Sequence, residues 1–100
     1  MVEYPSRELM ELAATRPTAI TGGTNSLTTD AEALASDTPC VLVLVQAATT
    51  NTTVMNLGGS AAQPIELYAG QYITLPISNV NKIYVKMASS TGTANYLIFA

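Results

Sequence analysis

Pro64-Ile-Glu-Leu-Tyr-Ala-Gly-Gln-Tyr-Ile-Thr-Leu-Pro-Ile77 and Asn81-Lys-Ile-Tyr-Val-Lys-Met87 are the stretches that decide the fold. In the first, Ile65, Leu67 and Ala69 alternate with Glu66 and Tyr68, and Ala69-Gly70 turns the chain. Ile73, Leu75 and Ile77 then alternate with Tyr72 and Thr74. In the second, Ile83, Val85 and Met87 alternate with Lys82, Tyr84 and Lys86. Successive side chains of a strand point to opposite faces, so a period of two marks strands with one apolar and one polar side. Asn79-Val-Asn81 and Ser89-Ser-Thr-Gly-Thr93 punctuate them, and Asn95 to Phe99 closes the chain as a last strand. Short strands at such regular spacing predict an all-β domain, an antiparallel β-sandwich or jelly roll.

Composition agrees. The 100 residues are 48% apolar and only 11% charged, where about 25% charged is ordinary. Thr, Ser and Asn fill the gap with 14, 7 and 6 residues, and Thr suits a pleated, half-exposed surface better than a helix. A net charge of −3 lacks the basic footprint of a nucleic-acid binder. The most apolar run, Cys40-Val-Leu-Val-Leu-Val45, is six residues long, far short of the roughly 20 that span a bilayer as a helix. Met1 to Leu12 has no basic start followed by an apolar stretch, and the lone Cys40 has no internal partner. The expectation is a chain made and assembled inside a cell.

Charge is uneven along the chain, and a short helical pattern ended by Pro17 sets an N-terminal arm, residues 1–17, apart from a sandwich domain, residues 18–100. Six of the seven acids fall before residue 38. Ser6 to Ala14 predicts two helical turns capped by Ser6 and ended before Pro17, with Leu9, Leu12 and Ala13 on one face. Nine residues do not hold a helix alone in water, so the arm is expected to dock, with Tyr4, Leu9, Met10 and Leu12 as its anchoring side chains. Gly22-Gly-Thr-Asn-Ser26 reads as a turn.

Two strands break the alternation. Val41, Val43 and Val45 oppose Leu42 and Leu44, and Tyr96 and Ile98 oppose Leu97 and Phe99, yet all are apolar or aromatic. Something covers the second face of such a strand, either the N-terminal segment or another subunit. A subunit interface through Val41, Val43, Val45, Tyr96 and Ile98 is the favoured expectation. Tyr68, Tyr72 and Tyr84 fall on polar strand faces and are expected to form an exposed aromatic binding surface.

Catalytic groupings are missing. Without a His, Cys40 has no base to activate it and reads as a small buried hydrophobe. Glu66 is the only acid after residue 37, and glycoside hydrolysis wants a pair. Asp30 and Glu32 lack the surroundings of a Ca²⁺ loop, and Gly58-Gly-Ser60 lacks the Lys of a phosphate cradle. Asn51-Thr-Thr53 fits the glycosylation sequon, which arises by chance in a chain this rich in Thr. No enzyme activity, cofactor or metal is expected.

Residues 39–100 carry Pro-Cys-Val-Leu-Val-Leu-Val-Gln-Ala, then Val-Met-Asn-Leu-Gly-Gly, the Leu67-Tyr-Ala-Gly70 turn, Asn81-Lys-Ile-Tyr-Val-Lys86 and Tyr96-Leu-Ile-Phe99. In this order the elements resemble small tailed-bacteriophage virion proteins, the β-sandwich modules that decorate capsids or form head fibres. The resemblance implies a capsid decoration (cement) protein of the virion, assembled in the host cytoplasm. Its implied partner is the major capsid protein, and it would be a homo-oligomer, with a trimer expected because capsids offer three-fold sites. A tail or head-fibre subunit and a non-catalytic carbohydrate-binding module using the three tyrosines are the alternatives.

Overall fold

The computed structural model describes residues 17–100. The expected anchoring residues Tyr4, Leu9, Met10 and Leu12 lie outside the described residues. Eight strands follow one another: β1 (Ile20–Leu27), β2 (Glu32–Ala33), β3 (Leu42–Ala47), β4 (Met55–Gly58), β5 (Ile65–Leu67), β6 (Tyr72–Pro76), β7 (Tyr84–Met87) and β8 (Gly92–Phe99). They form two four-stranded antiparallel sheets, ordered β1-β8-β3-β6 and β2-β7-β4-β5. The outermost pairings are β1 with β8 and β2 with β7, and the inner ones are β3 with β6 and β4 with β5. This is the connectivity of a long antiparallel ribbon rolled up on itself, a jelly roll.

The two sheets bury one apolar layer between them. The first sheet contributes Leu27, Val43, Val45, Ala47, Ala94 and Ile98; the second contributes Met55, Leu57, Leu67, Val85 and Met87, with Leu34, Val80 and Ile83 from adjoining segments. Alternation in the sequence places Ile83, Val85 and Met87 correctly, all at most 2% exposed. Ile73, Leu75 and Ile77 are on the expected face but only half-buried, because β6 is a sheet edge. Ile65 and Ala69 are exposed, Ile65 at the start of the short edge strand β5 and Ala69 in the turn after it, so only Leu67 of that set is buried.

Amide side chains fix several of the loops. Asn79 Oδ1 accepts from the N–H of Asn81 and of Thr38, each at 3.0 Å, which caps a single 3₁₀ turn (Val80–Lys82) and drives Val80 into the core. Asn51 Nδ2 donates to Thr93 O at 3.0 Å, and its Oδ1 accepts from Thr93 N–H at 2.8 Å. The sequon asparagine thus acts as an extra strand residue beside β8, with its amide nitrogen engaged. Gly70, at φ +86°, makes the expected turn after β5.

The segment Gly22–Ser26 is strand, not turn. All of β1 pairs with β8 in unbroken register, from Ile20 opposite Phe99 to Leu27 opposite Gly92. Gly23 is required there: a Cβ at this position would lie 2.5 Å from the Tyr96 hydroxyl, whose ring lies against it. Asn25 is used as well, its Nδ2 donating to Glu32 Oε1 at 3.0 Å and to Leu34 O at 3.1 Å. The turn-forming composition therefore serves side-chain fit across a sheet and a tie between the two layers.

Candidate functional site

The register of the first sheet assigns every side chain of its four strands to the core or to the outside. Val43 lies between Ile98 and Leu75, and Val45 between Tyr96 and Ile73, all facing the core. On the other side, Leu42 lies between Phe99 and Pro76, with Ile20 beyond Phe99. The next row is Gly22, Leu97, Leu44 and Thr74; the third is Thr24, Asn95, Gln46 and Tyr72. The outer face is thus two apolar rows bordered by one polar row, with no ionisable group other than the tyrosine phenol.

This arrangement corrects the expected interface. Val43, Val45 and Ile98 are 0%, 0% and 4% exposed inside the chain's own core, and Tyr96 packs against that core. Val41 is half-buried at the entry to β3, its backbone held by Phe99 and Ile77. None of the first three can touch a partner without opening the sandwich. The side chains left for contact are Leu42, Leu44, Leu97 and Phe99 together with Ile20, of which Ile20 is 64% exposed. A signal for this was present: Gln46 continues the Leu42–Leu44 set, and Asn95 continues the Leu97–Phe99 set. A polar residue in phase with an apolar row marks the side that meets solvent.

Nor do the tyrosines form one surface. Tyr72 lies on the outer face of the first sheet, where it lines a groove of about 490 Å³ with Leu44, Gln46, Asn95 and Leu97. Tyr84 alternates with buried Val85 and so faces outward from the second sheet, the opposite side of the sandwich. Tyr68 is exposed in the turn after β5, beside a separate hollow with Asn51 and Val54. Three surfaces replace the expected one, because β6 and β7 belong to different sheets.

The outer face of the second sheet is polar. Asn56 lies between Glu66 and Lys86 in the register. Its Nδ2 donates to Gln63 O at 3.3 Å, while its buried Oδ1 has no partner among the described residues. Cys40 is half-buried beside a hollow of about 530 Å³ with Pro17, Leu42 and Pro76. Its Sγ donates to Ile77 O at 3.2 Å, and burial pushes the thiol pKa up. A thiol so held stays protonated and is a poor nucleophile at neutral pH. Among the described residues, no three acids, cysteines or histidines come together as metal ligands, and no helix is long and apolar enough to cross a membrane. No family model, curated protein or solved structure matches the chain.

Proposed function

We propose that this chain is a structural virion protein, a capsid decoration (cement) protein that binds assembled phage heads as a homo-oligomer, with the major capsid protein as its partner. One observation carries the reading: the outer face of the β1-β8-β3-β6 sheet presents Ile20, Leu42, Leu44, Leu97 and Phe99 without a carboxylate or ammonium group. Exposed apolar rows edged by polar side chains are how protein contact surfaces are built. The jelly roll itself recurs among viral capsid domains, an analogy of fold that supports the reading without fixing it.

The test is co-sedimentation with undecorated shells of the parent phage. Wild-type protein should pellet with shells and stay in solution without them. Leu44→Lys should remain folded, because residue 44 faces outward, but should bind at least about tenfold more weakly, since it places an unpaired charge at the contact. Wild-type binding by Leu44→Lys would remove this face from the contact. Failure of wild type to bind shells would remove the reading.

A second reading has its own observation. The Tyr72 groove brings a 65% exposed ring beside the amides of Gln46 and Asn95, a pairing of stacking surface and hydrogen-bonding groups suited to a saccharide. Asn95 Nδ2 already donates to Gln46 Oε1 at 3.3 Å, which holds both amides in place. Saturable quenching of tyrosine fluorescence by sugars, lost in Tyr72→Ala, would favour this reading over shell binding.

A further inference from the structure

β1 is an open sheet edge, and the hydrogen-bond pattern shows which of its groups are free. Ala19 N–H donates to Ala100 O at 2.9 Å, and Ala100 N–H donates to Ala19 O at 2.8 Å, so this pair exchanges both bonds. Bonded and non-bonded pairs alternate along an antiparallel ladder. Thr21, Gly23, Asn25 and Leu27 therefore bond to β8, while Ile20, Gly22, Thr24 and Ser26 turn their N–H and C=O away from it. The β8 side agrees: the carbonyls of Phe99 and Thr93, opposite Ile20 and Ser26, accept from Val41 and Ala48 on the β3 side. The outward donors and acceptors of Ile20, Gly22, Thr24 and Ser26 have no partner among the described residues.

Natural edges of this length are guarded by a charge, a proline or a bulge. β1 has none of these: Ile-Thr-Gly-Gly-Thr-Asn-Ser-Leu is uncharged, and its register is unbroken.

We propose that β1 pairs with β1 of a second copy of this chain, antiparallel about a two-fold axis at Gly23. Three facts select the partner and the register. A strand without charge sets no like-charged pair against itself in any register, so its own copy can pair with it without electrostatic repulsion. An axis between two residues would set outward side chains against inward ones, so the axis lies on a residue. Centred on Gly23, Ile20 faces Ser26 of the second copy and Gly22 faces Thr24, so that every free donor and acceptor finds a partner. Axes at Gly22 or Thr24 leave one end unpaired.

The axis stands normal to the sheet, so both outer faces lie on the same side of one eight-stranded sheet. This dimer replaces the three-fold arrangement expected from the resemblance. It is independent of shell binding: Leu44→Lys tests that face and leaves the edge intact.

Sedimentation velocity of the full chain, with far-UV circular dichroism alongside, tests the proposal. Wild type should sediment at twice 10.5 kDa. Thr24→Pro removes an N–H that β8 does not use, a placement an edge strand tolerates. It should sediment as a 10.5 kDa monomer with an unchanged spectrum. Spin labels supply a measurement that needs no proline: in a Cys40→Ala background, Thr24→Cys and Ser26→Cys should give Cα separations across the axis of about 8 Å and about 21 Å. A wild-type monomer or trimer, a Thr24→Pro dimer, or separations that do not follow this pattern would each overturn the proposal.

Discussion

Val43→Lys is expected to be unfolded in buffer, while Leu44→Lys, one residue along the same strand, keeps the wild-type circular dichroism spectrum. Val43 is 0% exposed, with Ile98 and Leu75 as its cross-strand neighbours. No acid lies on the inward faces of these strands to pair with an ammonium. An uncompensated buried charge costs about 3–5 kcal/mol, and the lost apolar burial of valine adds roughly 1.5–3 kcal/mol. A domain of this size has a total stability on the order of 5–15 kcal/mol, so the substitution removes most or all of it. Leu44 shares its outward row with Leu97 and Thr74, where a lysine reaches water along its own stem. A folded Val43→Lys with a wild-type urea midpoint would mean that β3 is turned the other way round.

Ile83→Ala should lower the stability by about 2–5 kcal/mol, the range for deleting a large aliphatic side chain from a core. Ile83 is 2% exposed and sits where two constraints meet. Its N–H donates to Val80 O at 3.1 Å, closing the 3₁₀ turn, and its carbonyl accepts from Leu34 N–H at 2.8 Å. Those bonds hold the backbone where it is, so the walls of the cavity have little freedom to collapse. Leu75→Ala should fall at the low end of the range because β6 is an edge and Leu75 is half-buried. Exposed Lys82→Ala should stay within about 0.5 kcal/mol of wild type. Urea titrations of the three variants measure this, and equal shifts at Ile83 and Lys82 would contradict the packing.

The contrast between Ile83 and Val43 shows where the sequence was legible. Around Ile83 the alternation is one-sided, with Lys82, Tyr84 and Lys86 opposing the apolar set, and the core face can be read directly. Along β3 and the end of β8 both sets are apolar, so periodicity is satisfied by either orientation. Gln46 and Asn95, in phase with the Leu42 and Leu97 sets, are the one local hint, and pairing with distant strands completes the choice that put the Val43 set inside. The same holds for β1. Gly22-Gly-Thr-Asn-Ser26 has the composition of a turn, and it becomes a strand because β8, more than 60 residues away in the chain, offers a full ladder and a tyrosine ring that needs a glycine opposite it. The existence of a sandwich is legible in the one-sided alternation. The make-up of its outer face and its open edge emerge from long-range register.

The nested pairing of the strands also sets an order of events in time. β4 and β5 are joined by a short connection, β3 and β6 by a longer one, and β1 must wait for β8, which ends at Phe99. Closing loops of growing length costs growing entropy, and folds dominated by such distant pairings are slow, on the order of milliseconds to seconds. A nascent chain emerging from the ribosome can form the innermost hairpin early, yet β1 has no partner until β8 has emerged as well. During that interval the uncharged strand β1 is open on both sides, and its Gly-Gly-Thr-Asn-Ser composition is a poor template for the β-branched, hydrophobic stacking that drives aggregation.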